Sequence, residues 1–168
     1  MGDIMSLEAK QLYELQKGLD LKIIYKHDNA NYEDTRNKRI LALLVELSEL
    51  ANETRCFKYW SLKDPSSKEV IFEEYVDGIH FLLSLGFYFD EQPEDIEVKV
   101  LNKELTEAFL DVYSLFAKML TDNTYNTYLD CFKSYLGLGL LLGITMSELK
   151  DFYVLKNEKN HQRQENNY

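Results

Sequence analysis

Two pairs of carboxylates constrain this chain more than any other feature. Glu46-Leu47-Ser48-Glu49 and Glu74-Tyr75-Val76-Asp77 each place two acids three residues apart. On a helix that spacing stacks them one turn above the other on a single face. Both pairs sit in apolar runs, Ile40-Leu41-Ala42-Leu43-Leu44-Val45 before the first and Ile79-His80-Phe81-Leu82-Leu83 after the second. A carboxylate on the apolar side of a helix is unfavourable unless compensated, and four that converge repel one another. A hard divalent cation removes the conflict, because Mg2+ takes oxygen ligands and keeps waters for the phosphates of a substrate. Glu46, Glu49, Glu74 and Asp77 are therefore expected to form one metal site across two packed helices. Solvated helix faces also carry acids at this spacing. Here their placement among Leu, Val and Ile, and the repetition of the pair, favour metal. A ferritin-like di-iron bundle is another use of inward acids, but it needs two Glu-x-x-His pairs. Of His27, His80 and His161, only His80 lies near a pair.

The rest of the pattern is helical. From Ser6 to about Lys26, Leu12, Leu15 or Gln16, Leu19 and Ile23 recur at intervals of three and four, with Ser6 placed as an N-cap. Asp28 to Asp34 reads as a polar loop. A second helix runs from about Thr35 to Cys56 with Ile40, Leu43, Leu44, Leu47 and Leu50 on its core face, and Phe57-Lys58-Tyr59-Trp60 closes it. Asp64-Pro-Ser-Ser67 signals a turn before a third helix, about Lys68 to Phe87. Phe89 to Val98 is a connection or a short strand-like link. A fourth helix, Asn102 to Leu120, buries Leu105, Phe109, Val112, Phe116 and Met119, and a fifth covers Thr124 to Leu142. Gly137, Gly139 and Gly143 in the fifth predict close helix packing or a break. Thr145 with Glu148 is a capping box opening a last helix towards Asn160. With strand signals nearly absent, the expected class is all-α.

Charge and cysteines narrow the partners. A net charge of −10 argues against a nucleic-acid backbone or an anionic membrane as the main partner. Any anion must then be held locally, by metal or a small basic cluster. Cys56 and Cys131 are too few for a disulfide framework and suit a reducing cytosol, so a cytoplasmic protein is expected. The N-terminus alternates charged and apolar residues rather than presenting a signal peptide. The longest apolar stretch, Tyr135 to Ile144, is too short and too glycine-rich to span a bilayer. On composition alone, the polar segment from Lys156 to Gln164 reads as a frayed terminus.

Taken together, these residues resemble the all-α dimeric dUTPases, relatives of the MazG-like nucleoside triphosphate pyrophosphatases. That family's Glu-x-x-Glu and Glu-x-x-Asp helices are matched by Glu46, Glu49, Glu74 and Asp77, and the histidine after the second motif by His80. The aromatic-Lys-x-Trp element is matched by Phe57-Lys58-Tyr59-Trp60. The late element is matched by Lys156, Asn157, Asn160, Arg163 and Gln164, with Tyr168 after them, and the early Gln by Gln16. Asp20 departs from the pattern, which has Asn there, and this leaves the base open between uracil and cytosine.

The resemblance implies one domain, residues 1–168, with the helical-bundle fold of all-α NTP pyrophosphatases and a mobile tail, 156–168, that closes on substrate. It implies a homodimer that hydrolyses dUTP to dUMP and pyrophosphate with two or more Mg2+ ions, for which Mn2+ can substitute. Glu46 and Glu49 become the catalytic candidates, since either can ligate metal and orient water. Lys58, Lys156 and Arg163 supply charge to the phosphates, and Asn157 and Asn160 supply neutral donors. Gln16, Asp20, Phe57, Trp60 and His80 are the candidates for the base. The alternatives are the same scaffold acting on dCTP or a broader set of triphosphates, and a non-catalytic helical interaction protein whose acids are solvated.

Overall fold

The structure, a computed structural model, describes residues 5–28 and 30–166. Its elements in order are β1 (Ser6–Glu8), α1 (Lys10–Lys26), α2 (Tyr32–Thr54), α3 (Lys68–Gly86), β2 (Asp95–Glu97), α4 (Leu105–Lys118), α5 (Tyr125–Leu141) and α6 (Met146–Glu165). The fold is all-α, with one two-stranded antiparallel ribbon in which Leu7 pairs with Ile96.

That ribbon replaces the expected start of the first helix. Ser6 and Glu8 are exposed while Leu7 is buried, the alternation of a strand, and the helix begins only after Ala9. The Ala9 and Lys10 amides donate to the Glu94 carbonyl, so the entry is fixed by the link before β2 and not by a Ser6 cap. The region 28–34 is shorter as a loop than its polarity suggested, because Asn31 caps α2 by accepting from the Asp34 amide. Asn29, inside that stretch, lies outside the described residues.

α2 and α3 share the most extensive interface, and α6 packs on both α1 and α3. The predicted stripes lie inside. Ile40, Leu43, Leu47 and Leu50 of α2, and Phe109, Val112 and Phe116 of α4, are all buried. α5 is locked to α3 by a reciprocal tyrosine pair. Tyr75 Oη donates to the Tyr135 carbonyl and Tyr135 Oη to the Tyr75 carbonyl, with the rings stacked 4.6 Å apart. Gly78 and Gly139 leave room for these rings, since a Cβ at either position would run into the facing tyrosine. Gly143 does the other job foreseen for it and takes φ +78° at the end of α5. The capping box of α6 forms as read, but the helix runs to Glu165, well past Asn160.

Candidate active site

Helical spacing brings the acids together. Glu46 of α2 and Glu74 and Asp77 of α3 each place a carboxylate oxygen within 4.8 Å of the others, and all three are half-buried. Glu49, one turn beyond Glu46, is exposed and stands beside this trio, close enough to act on the charge of both Glu46 and Glu74. Burial raises the pKa of Glu46 to about 7, with Asp77, Glu49 and Glu74 adding repulsion. Glu74 and Asp77 are raised too, again chiefly by burial. An all-oxygen cluster that resists its own ionisation is chemically suited to a hard divalent cation.

Within the chain, Lys156 already offsets much of this charge, with Arg163 acting on Asp77 as well. Lys156 of α6 is buried and donates to Asp77 Oδ2 at 2.8 Å and to Glu73 Oε1 at 2.9 Å. Burial works against its charge, but the bonds to Asp77 and Glu73 outweigh it and hold the ammonium above its ordinary range. Glu73 also accepts from Lys159, and the hydrogen bonds from the two lysines lower its pKa to about 2. The 156–166 segment is therefore the second half of α6 in this structure, and Lys156 has partners. Its far end lies along α1, where Lys22 donates to Glu165 and Lys26 to the Gln164 carbonyl. Tyr168 lies outside the described residues.

Beside the acids opens a cavity of about 450 Å3. Gln16 and Asp20 of α1, Glu46 of α2, Asp77 and His80 of α3, and Asn160 and Arg163 of α6 all line it. In one volume it gathers acids, amides and two arginines, Arg39 and Arg163, from four helices. Asn157 is buried against α1 instead, its amide donating to the Leu15 carbonyl at 3.4 Å. Phe57, Lys58 and Trp60 are not among the lining residues. They sit past the end of α2 with Trp60 65% exposed and Tyr59 94% exposed, ring against ring.

The inner wall is a polar network. Gln16 Nε2 donates to Asp20 Oδ1 at 2.8 Å, and Gln16 Oε1 accepts from Tyr153 Oη and His80 Nδ1, each at 2.8 Å. Asp20 Oδ2 accepts from Tyr32, Ser84 and Arg39. Burial lowers the His80 pKa to about 3, so its ring is neutral, and it stacks on Tyr153 at 4.3 Å. Arg39, which sequence reading passed over, also bonds Thr35 and the Ala30 carbonyl and lies 4.6 Å over the Tyr32 ring. A signal for it existed. Arg39 is seven residues before Glu46 and Ser84 seven after Asp77, two turns along the same faces. Glu73 carried no such mark, since its partners come from α6.

The dUTPase family model matches residues 8–168, nearly the whole chain. The chain belongs to the dUTPase family. A comparison with curated proteins finds no match. Membership makes the protein a dUTP diphosphatase-type hydrolase of nucleotide metabolism, in agreement with the all-α fold. It also removes the reading of a non-catalytic helical interaction protein. No single helix among the described residues is long and apolar enough to cross a membrane.

Proposed function

We propose that this dUTPase hydrolyses dUTP to dUMP and pyrophosphate in a Mg2+-dependent reaction, in the cytosol, with Glu46, Glu49, Glu74 and Asp77 as the metal ligands. One observation carries this reading. Three carboxylates from two helices converge within 4.8 Å at the edge of a cavity that also holds Arg163 and a buried amide network. When bound, the cation supplies positive charge to the triphosphate oxygens and lowers the pKa of water. Glu46 and Glu49 then orient the attacking water, and either carboxylate is placed to accept its proton. Arg163 and Asn160 bind phosphate oxygens from one side. Lys156 is drawn from Asp77 to the phosphates when substrate enters.

The 156–168 segment is the closing element of a single catalytic domain. The far-end contacts of α6 are the Lys22–Glu165 ion pair, worth about 0–1 kcal/mol, and lysine hydrogen bonds to the His161 and Gln164 carbonyls, so its last turns lift at little cost. Phe57, Lys58 and Trp60 serve a substrate only if they reach the cavity of a second copy. The exposure of Phe57 and Trp60, together with that of Leu62, supports a homodimer in which this loop completes the partner's site. Pyrophosphate release from a panel of dUTP, dCTP, dTTP and UTP tests the reading. The expected result is dUTP first, with dUMP and pyrophosphate as products. Release of inorganic phosphate instead, or no turnover of any nucleotide, overturns it.

A further inference from the structure

We propose that Asp20, held by Arg39, is a positioning residue: its carboxylate fixes the Gln16 amide in one orientation, and Gln16 in turn fixes His80 as the Nδ1–H tautomer, leaving Nε2 as a bare acceptor for a ring N–H of the substrate's base. The inference rests on the dUTP reading of this site and deepens it.

Each step follows from what the groups are able to donate or accept. An ionised carboxylate is acceptor-only, so the Gln16 atom 2.8 Å from Asp20 has to be the Nε2 donor. The amide oxygen is thereby turned towards Tyr153 and His80. His80 Nδ1, 2.8 Å from that oxygen, has to carry the proton. In a neutral ring Nε2 then has none. His80 is 6% exposed, it lines the cavity, and its Nε2 is a buried atom with no hydrogen-bond partner among the described residues. Buried polar atoms without a partner are rare, and here the missing partner is a donor.

Asp20 does not reach for the base itself. Its Oδ1 is taken by Gln16, and its Oδ2 by Tyr32, Ser84 and Arg39 at 2.6–3.1 Å. Among the described residues, His80 Nε2 is the ring or carboxylate acceptor of this network that is left without a partner. The N3–H of uracil matches it, whereas cytosine in the same pose presents a lone pair at N3 and repels it. An Asn at position 20 would permit both amide orientations, because its own amide donates as readily as it accepts. The carboxylate removes that ambiguity, and Arg39, 3.1 Å from its Oδ2, holds it in place.

The test uses the full chain with 15N-labelled histidine at neutral pH. The 15N shifts of a neutral ring tell its protonated nitrogen from its bare one. His80 is expected as Nδ1–H with a bare Nε2 in the substrate-free protein. D20N should introduce a substantial Nε2–H population and lower the dUTP over dCTP ratio of kcat/KM by roughly tenfold, the worth of about one hydrogen bond. A wild-type His80 carrying its proton on Nε2 overturns the proposal without any variant being needed. So does D20N with the tautomer unchanged, or a shifted tautomer with an unchanged ratio. None of these outcomes touches the dUTP reading, which fails if no nucleotide is turned over or if inorganic phosphate is released in place of pyrophosphate.

Discussion

Glu46 is the residue at which packing and chemistry conflict most directly. Its carboxyl is half-buried beside Asp77, Glu49 and Glu74, and burial first, repulsion second, raise its pKa from 4.5 to about 7. An acid whose pKa rises on folding holds its proton more tightly in the fold, so it stabilises the fold while protonated. That contribution is complete below about pH 4.5 and is lost as the pH rises through about 7. The metal-free protein should therefore melt at a lower temperature at pH 8 than at pH 6, and Glu46→Gln should flatten the difference. Mg2+ should raise the melting temperature more at pH 8, because it binds the ionised cluster. Equal Mg2+ shifts at the two pH values would mean that no proton competes with metal at this site. At this scale the acids were legible, since residue type and spacing mark them. Glu73 was not, because its contacts with Lys156 and Lys159, made across more than 80 residues, leave no periodic trace in a sequence, whereas Arg39 and Ser84 lay on the marked helix faces and were passed over.

Among the elements, α6 departs most from its sequence. Composition made residues 156–164 a frayed tail, for they have no apolar stripe. The helix forms there because Lys156 finds Glu73 and Asp77, Asn157 finds α1, and Lys22 and Lys26 of α1 reach its far end. Polar partners in place of an apolar face hold it, and a pattern search for hydrophobic periodicity has no access to such partners. The glycines of α5 were read more nearly. Gly137 and Gly139 allow close approach and Gly143 ends the helix, so both alternatives hold at different positions. The turns of α6 beyond Asn157 are held mostly by more exposed polar contacts and are separable from the core. Arg163→Ala removes a cavity-lining cation and little apolar packing. It should leave the melting temperature within about 2 °C, since substitutions that remove little packing change stability by about 0.5 kcal/mol or less. Turnover of dUTP should fall by roughly 10²-fold, the usual loss when a donor aimed at developing charge is removed. A large fall in melting temperature with near-normal turnover would make α6 a structural strut instead.

On the scale of the whole molecule, the fold class and the pairing of the two acidic helices followed from periodicity alone. The position of Phe57, Lys58 and Trp60 did not, because adjacency in sequence to Glu49 hides the length of a helix. They lie beyond the end of α2, outside the cavity that holds Glu46 and His80. With Trp60 65% and Leu62 104% exposed, this loop is the part of the surface that a second copy would cover. Sedimentation should give a dimer, and the fluorescence of the single tryptophan should shift to the blue as concentration rises through the dimer's dissociation constant. Trp60→Ala should weaken dUTP binding while keeping the melting temperature of the dilute protein. A monomer at all concentrations that nevertheless turns over dUTP at full rate would leave these aromatics without a role in the site.

The rate of pyrophosphate release from dUTP, followed while Mg2+ is titrated into chelator-treated protein, tests the central claim most directly. The predicted result is no turnover without metal, a rate that saturates with Mg2+, and loss of that rate in Glu49→Gln and Asp77→Asn with the fold intact. Turnover that persists in excess chelator, or that survives either substitution unchanged, would contradict the assignment of these four carboxylates as the metal site of a dUTPase.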